Sequence, residues 1–241
     1  MWTRKELKAQ GKTALKRNYG KTLLVGLVLA VVSGGITIPQ FTANVNSEEL
    51  SAQFQNMGSE ELAAFLALFI GVFAVASLFA IALSVFVFHP LAVGCQRYFV
   101  QNNAAPADPK EMGYGFKTNY KNVILTMFLT NLFISLWSLL FIIPGIVKSY
   151  SYRMVPYLLT DDPNMNYKDA LNRSKEMMMG QKWNAFILDL SFIGWKILAA
   201  FTFGLLDILY VNPYMYGTNA ELYRTLKGSA QAPAVAEAPI A

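Results

Sequence analysis

The sequence predicts an all-α fold: a polytopic membrane helix bundle of six transmembrane helices, both termini cytoplasmic, plus amphipathic cytoplasmic helices. Three observations lead there. Hydrophobic residues make up 54% of the 241 and charged residues only 15%, which departs from soluble averages. Apolar runs recur at the length of about 20 residues that crosses a hydrocarbon core of roughly 30 Å. Lysine and arginine fall on alternate sides of those runs, as they do where basic flanks stay in the cytoplasm.

Taken in order, residues 22 to 38 (TLLVGLVLAVVSGGITI) form the first run, and residues 62 to 88 form a second with no formal charge. Residues 123 to 143 make a third, stopped by Pro144 and Gly145, whose missing donor and backbone freedom suit a tight turn. Residues 146 to 160 then return as the fourth. Residues 183 to 211 are apolar but interrupted by Asp189, Lys196, Gly204 and Asp207, so a fifth helix goes out, breaks near Gly204, and a sixth comes back through Pro213.

Seven cations, Arg4 to Lys21, precede the first run, whereas residues 39 to 61 carry Glu48, Glu49, Glu60 and Glu61 and no Lys or Arg. The N-terminus is therefore inside and that loop outside. Arg97, Lys110, Lys117 and Lys121 are consistent with a return of residues 89 to 122 to the cytoplasm; Lys168, Arg173, Lys175 and Lys182 fit an inside loop at residues 161 to 182. Arg224 and Lys227 argue for an internal C-terminus, against the alternative of five spans with residues 183 to 211 as one tilted helix. A further arrangement lets residues 146 to 160 lie at the interface. The basic N-terminal stretch extends to Lys21, longer than a usual signal-peptide n-region, and residues 22 to 38 read as a retained helix. The chain thus divides into a basic amphipathic interfacial helix at 1–21, a membrane domain at 22–227 and a flexible tail at 228–241.

KRNYGKTLL, KTNYKNVIL and GQKWNAFIL, each entering an outward helix, echo one another. Tyr19, Tyr120 and Trp183 there read as interfacial anchors, or as the mark of three parallel hairpin repeats. Two amphipathic helices lie inside. Residues 2 to 19 set Trp2, Leu7, Ala14 and Leu15 among cations, the composition of a helix resting on anionic headgroups. Residues 167 to 179 space Ala170, Leu171, Ser174, Met177 and Met178 by three and four, with Gly180 as a stop. That face suits bundle packing or the docking of a protein partner at the cytoplasmic side.

Five charges fall within apolar surroundings: Lys148, Arg153, Asp189, Lys196 and Asp207. Each costs roughly 2.5 to 3.5 kcal/mol at a bilayer centre on insertion scales, so partners are expected. Lys148 is close enough to the outer surface to snorkel. The axial positions of Arg153 and Asp189 suggest a buried pair, and Lys196 with Asp207 a second near the outer interface. Tyr150 and Tyr152, with Asn212 and Tyr214 across from them, would complete an intramembrane polar cleft. Structural pairing and a transport route both account for such charges.

Several chemistries lack their parts. Cys95 and His89 are each the single residue of its type, which leaves neither a metal ligand set nor a nucleophile with its base. No phosphate-binding loop or HExxH motif occurs, and the expectation is no enzyme, no metal and no cofactor. The pair Asp161 and Asp162 reads as a helix end and cap, or as a cation site. The net charge of +5 sits largely on the inner flank, where topology explains it, so nucleic acid is not an expected partner.

The combination IPGIVKSYSYRMVPY (143–157), SKEMMMGQKW (174–183), LDLSFIGW (188–195) and PYMYGTNAELY (213–223), with MWTRKELK and LKRNY near the start, resembles the bacterial integral-membrane family catalogued as domain of unknown function 975. The resemblance covers nearly the whole chain apart from residues near 42 to 61 and the tail; Asp207 and Asn212 fall outside the family pattern. It implies a multi-pass protein of a bacterial cell (plasma) membrane, as in many Gram-positive species, and assigns no activity. The expected function is non-enzymatic support of transport or export. The alternative is a membrane scaffold or envelope-maintenance protein binding a partner or the anionic headgroups of the lipid bilayer.

Overall fold

The computed structural model describes residues 2–34 and 57–236, with the side chains of the last helix as far as Ser229. Residues 35–56, which include the end of the first apolar run and the loop with Glu48 and Glu49, lie outside the described residues, as does the tail at 237–241. All regular elements described are helical: α1 (Arg4–Arg17), α2 (Tyr19–Val32), α3 (Ser59–Leu83), α4 (His89–Ala104), α5 (Tyr114–Lys117), α6 (Tyr120–Leu140), α7 (Ile142–Ser151), α8 (Val155–Asp161), α9 (Tyr167–Met177), α10 (Lys182–Leu190), α11 (Ile193–Phe201) and α12 (Asn212–Ala236). Single π-helical turns, Ser84–Phe88 and Asp207–Val211, precede α4 and α12. Among the described residues three helical stretches are long and apolar enough to cross a membrane: Ser59–Ala104, Tyr120–Leu140 and Lys182–Phe201. The apolar α2 is shorter.

The chain forms two compact units, residues 38–84 and the remainder. The smaller contains α3, a helix of 25 residues and so about 37 Å long. Glu60 and Glu61 favour its N-terminus through the helix dipole, and Glu61 accepts a hydrogen bond from the Gly58 N–H. None of its residues is buried, and Phe69 and Phe73 stack on its surface with ring centroids 6.5 Å apart. A helix that is apolar all round needs an apolar environment on every side.

In the larger unit α1 starts with a capping box: Thr3 Oγ1 accepts from Glu6 N, and Glu6 Oε2 accepts from Thr3 N. Its apolar stripe, Leu7, Ala14 and Leu15, is buried in the chain's own core, and the helix lies along α12. The interfacial helix expected to run to residue 21 ends at Arg17, because Asn18 leaves helical geometry (φ −141°, ψ 48°). Its side chain donates to Asn102 Oδ1 at 3.3 Å and to the Ala107 carbonyl at 3.1 Å. Asn102 in turn donates to the Ala14 carbonyl and to Thr22 Oγ1, fixing the α1–α2 elbow from α4. A buried Asn is stable only when its amide is satisfied in this way.

Residues 89 to 104, which the sequence reading places on the cytoplasmic side without assigning them an element, form α4 and supply the middle of the core. Pro90, Val93, Gly94, Cys95, Tyr98, Phe99 and Asn102 are buried at helical spacing, although Arg97 and several amides hold down the average hydropathy of the segment. Gly94 is pressed against the backbone of Met112 in the 3-10 turn Pro109–Gly113, where any Cβ would collide with the Met112 carbonyl. A second core group joins Val123 and Met127 of α6 to Val155 and Leu159 of α8 and to Ala170 and Leu171 of α9.

The turn after α6 is not made by Pro144 and Gly145. The helix stops at Leu140 because Phe141 is extended (φ −154°, ψ 137°), and Pro144 stands in the first turn of α7, where a missing N–H loses no intrahelical bond. The return segment is likewise not one helix: α7 ends at Ser151 and α8 begins at Val155, with Pro156 in its first turn. The break near Gly204 is present as expected. Phe203 (φ 51°) and Gly204 (φ 79°) both take left-handed geometry, which glycine adopts freely and phenylalanine does not. A further interruption at Ser191 and Phe192 separates α10 from α11. The last helix continues to Ala236, into the stretch that the sequence reads as a tail.

Candidate functional site

Arg153 occupies the gap between α7 and α8, and the gap aims it at α10. Its guanidinium grips Asp189 with both nitrogens, Nη1 to Oδ2 at 2.6 Å and Nη2 to Oδ1 at 2.7 Å, and Nη2 also donates to Asn219 Oδ1 of α12 at 2.8 Å. The Tyr150 hydroxyl donates to Asp189 Oδ2 at 2.8 Å. The side chains of Arg153 and Asp189 are 17% and 32% exposed, so the pair is mostly withdrawn from solvent. A planar fork on a carboxylate has little geometric freedom, and this one ties three helical segments in a fixed register. Tyr150→Phe, which removes one bond to a charged acceptor, is expected to cost about 1.5 kcal/mol. The thermal midpoint of the detergent-solubilised protein measures it, and an unchanged midpoint would contradict the assignment.

Lys196, Asp207 and Asn212 form a second cluster. Lys196 Nζ lies 2.8 Å from Asp207 Oδ1, and donates to Asp207 Oδ2 at 2.9 Å and to Asn212 Oδ1 at 2.7 Å, across the turn between α11 and α12. Among the described residues no hydrogen bond joins it to the Arg153 cluster.

The other members expected in one cleft stand apart. Lys148 Nζ lies over the Trp137 ring at 4.8 Å from its centroid, and Tyr152 is buried with Lys175 Nζ 5.7 Å from its ring centre. Tyr214 is buried with its ring edge-on to Phe192 at 5.2 Å.

The face expected to dock a partner is already occupied. Ala170, Leu171, Ser174, Met177 and Met178 are all buried, because α9 packs on the chain's own α6 and α8. Ser174 closes the α7–α8 gap: its hydroxyl donates to the Ser151 carbonyl at 2.8 Å and accepts from Met154 N at 3.1 Å. The backbone groups that the break would leave bare are thereby satisfied. Asp161 pairs with Lys227 at 2.7 Å and accepts from the Tyr223 hydroxyl, while Asp162 accepts from Asn164 N, so this acidic pair ends a helix and caps a turn. Among the described residues no three His, Cys, Asp or Glu side chains are grouped to hold a metal ion.

A third feature lies along α1. Arg4, Lys5, Lys8 and Lys12 line an open groove of about 570 Å³ together with Ser191 and Tyr214. Lys8 Nζ donates to the Ser191 carbonyl at 3.0 Å and lies 4.1 Å from the Phe192 ring centre, filling the interruption between α10 and α11. Partial burial pushes the Lys8 ammonium down in pKa, and the neighbouring Arg4 adds to the effect. Asn219 and Lys8 are absent from the cleft read in sequence. Asn219 was within reach, since it follows Asn212 by two helical turns and shares its side of α12; Lys8 carried no signal beyond its charge.

Among the described residues these features define an all-helical protein with three helices long and apolar enough to cross a membrane and with ion pairs set at helix interruptions. The stretch 140–230 matches the model of the family described as Protein of unknown function (DUF975), the family that the motifs within it resemble. No curated protein and no solved structure matches the chain.

Proposed function

We propose that the chain is a non-enzymatic, multi-pass protein of the bacterial plasma membrane that supports transport or export. The reading places six spans, with α2, α3 and α6 as the first three, α7 with α8 as the fourth, α10 with α11 as the fifth and the start of α12 as the sixth, and leaves both termini in the cytoplasm. The observation that carries it is the meeting of charged groups with interrupted helices at Arg153, Asp189, Lys196 and Asp207. Broken helices within a bilayer require protein or a polar cavity around them and often surround solute sites. Reconstituted vesicles loaded with small solutes test it: flux should be present with the native chain and lost on Arg153→Lys or Asp189→Asn. Equal flux in all three would reject the route through this cluster. Reporter tags on the two termini should both be found on the cytoplasmic face.

The α1 groove favours a second reading, a membrane scaffold or envelope-maintenance protein that binds anionic lipid. A protein partner would use the outer face of α9, where Lys168, Asp169, Arg173 and Glu176 are exposed, because the apolar face is filled. Copurification that survives in the native protein and disappears on reversing those charges would support that partner.

A further inference from the structure

We propose that the groove between α1 and the α10–α11 junction receives the phosphate headgroup of an anionic membrane phospholipid, held by Arg4, Lys5 and Lys12; this rests on the lipid-binding reading. Arg4, Lys8 and Lys12 recur every four residues and Lys5 adjoins them, so one stripe of α1 presents four cations to a single cavity of about 570 Å³. Like charges four apart oppose helix formation unless something offsets them. Among the described residues no carboxylate does so: Arg4, Lys5, Lys8 and Lys12 make no ion pair, and Glu6 is engaged with the Thr3 backbone. Lys8 is turned inward onto the Ser191 carbonyl, which leaves Arg4, Lys5 and Lys12 to meet a ligand.

A solvated basic face would account for the charge alone. The junction that borders the groove, however, carries exposed apolar side chains: Leu190 and Ile193, next to the lining residue Ser191 in the chain, are 49% and 54% exposed. Cations next to uncovered apolar side chains suit an occupant with an anionic head and a hydrocarbon tail, such as a phospholipid, better than a free phosphate.

The test uses the full chain purified in detergent, with dissociation constants and thermal midpoints measured for short-chain phosphatidylglycerol, short-chain phosphatidylcholine and inorganic phosphate. Phosphatidylglycerol should raise the midpoint and the other two should not. The triple variant R4Q/K5Q/K12Q, which keeps Lys8 in place, should weaken phosphatidylglycerol binding by roughly tenfold to a hundredfold. R4K/K5R/K12R should preserve binding and so separate charge from folding. The control K110Q/K117Q/K121Q should bind as the native chain does.

Full affinity in R4Q/K5Q/K12Q, or an equal loss in the control, would overturn the groove while leaving lipid binding standing. An equal response to inorganic phosphate would overturn the lipid as occupant. No preference for the anionic lipid would overturn the groove together with the reading beneath it.

Discussion

Arg153→Ala is expected to destabilise the protein by about 3 kcal/mol, a fall of roughly ten degrees in the thermal midpoint for a chain of this size. The loss comes from what is left behind more than from the attraction removed. Without the guanidinium, the Asp189 carboxylate keeps a single donor, the Tyr150 hydroxyl, in a position only 32% exposed, and Asn219 Oδ1 loses its donor. Asp189→Ala should cost a similar amount by stranding the cation. The double variant removes both charges, so it should be less damaging than the sum of the singles by about 1.5 to 3 kcal/mol. Midpoints in detergent measure all three, and simple additivity would show that the two groups do not depend on each other. Arg153→Lys should fall between, because one ammonium cannot reproduce the two parallel bonds to the carboxylate.

Gly94→Ala should also cost several kcal/mol, with a sign opposite to the ordinary one. In an open helix this change is favourable by up to about 1 kcal/mol, since glycine has the greater backbone entropy to lose. At Gly94 the added carbon meets backbone, the carbonyl of Met112, and backbone cannot move aside as the end of a flexible side chain can. The 3-10 turn would have to separate from α4, which also holds the Arg97 to Glu111 ion pair at 2.7 Å. Gly71→Ala in α3, where nothing lies within 4 Å, supplies the comparison and should be neutral or mildly stabilising. If the two substitutions give the same midpoint, the close approach at Gly94 is wrong.

The parts legible in the sequence were those governed by local chemistry. Apolar length marked Tyr120–Leu140 and the helix through residues 62 to 83; the three- and four-residue spacing marked α9; Gly204 marked a reversal. Axial arithmetic along two helices was enough to match Arg153 with Asp189, because their offset followed from Gly145 and Trp183.

What escaped depends on contacts distant in sequence. The charges of residues 89 to 122 pointed to a side of the membrane but not to α4 as core, since Tyr98 and Asn102 are held there by Thr22 and Asn18, far earlier in the chain. The gap between α7 and α8 is bridged by Ser174, 23 residues beyond Ser151, so proline alone placed it only approximately. The face of α9 illustrates the same limit: periodicity reveals an apolar side but not which surface covers it.

The dependence of α1 on α12 also bears on how the chain is made. The long flank of α1 lies against α12, with Gly11 beside Thr218, and its elbow is fastened by Asn102. During synthesis the elbow can be fastened once α4 is made, but the flank must wait for α12, which lies far along the chain. A segment made early is therefore seated in two stages, its elbow before its flank.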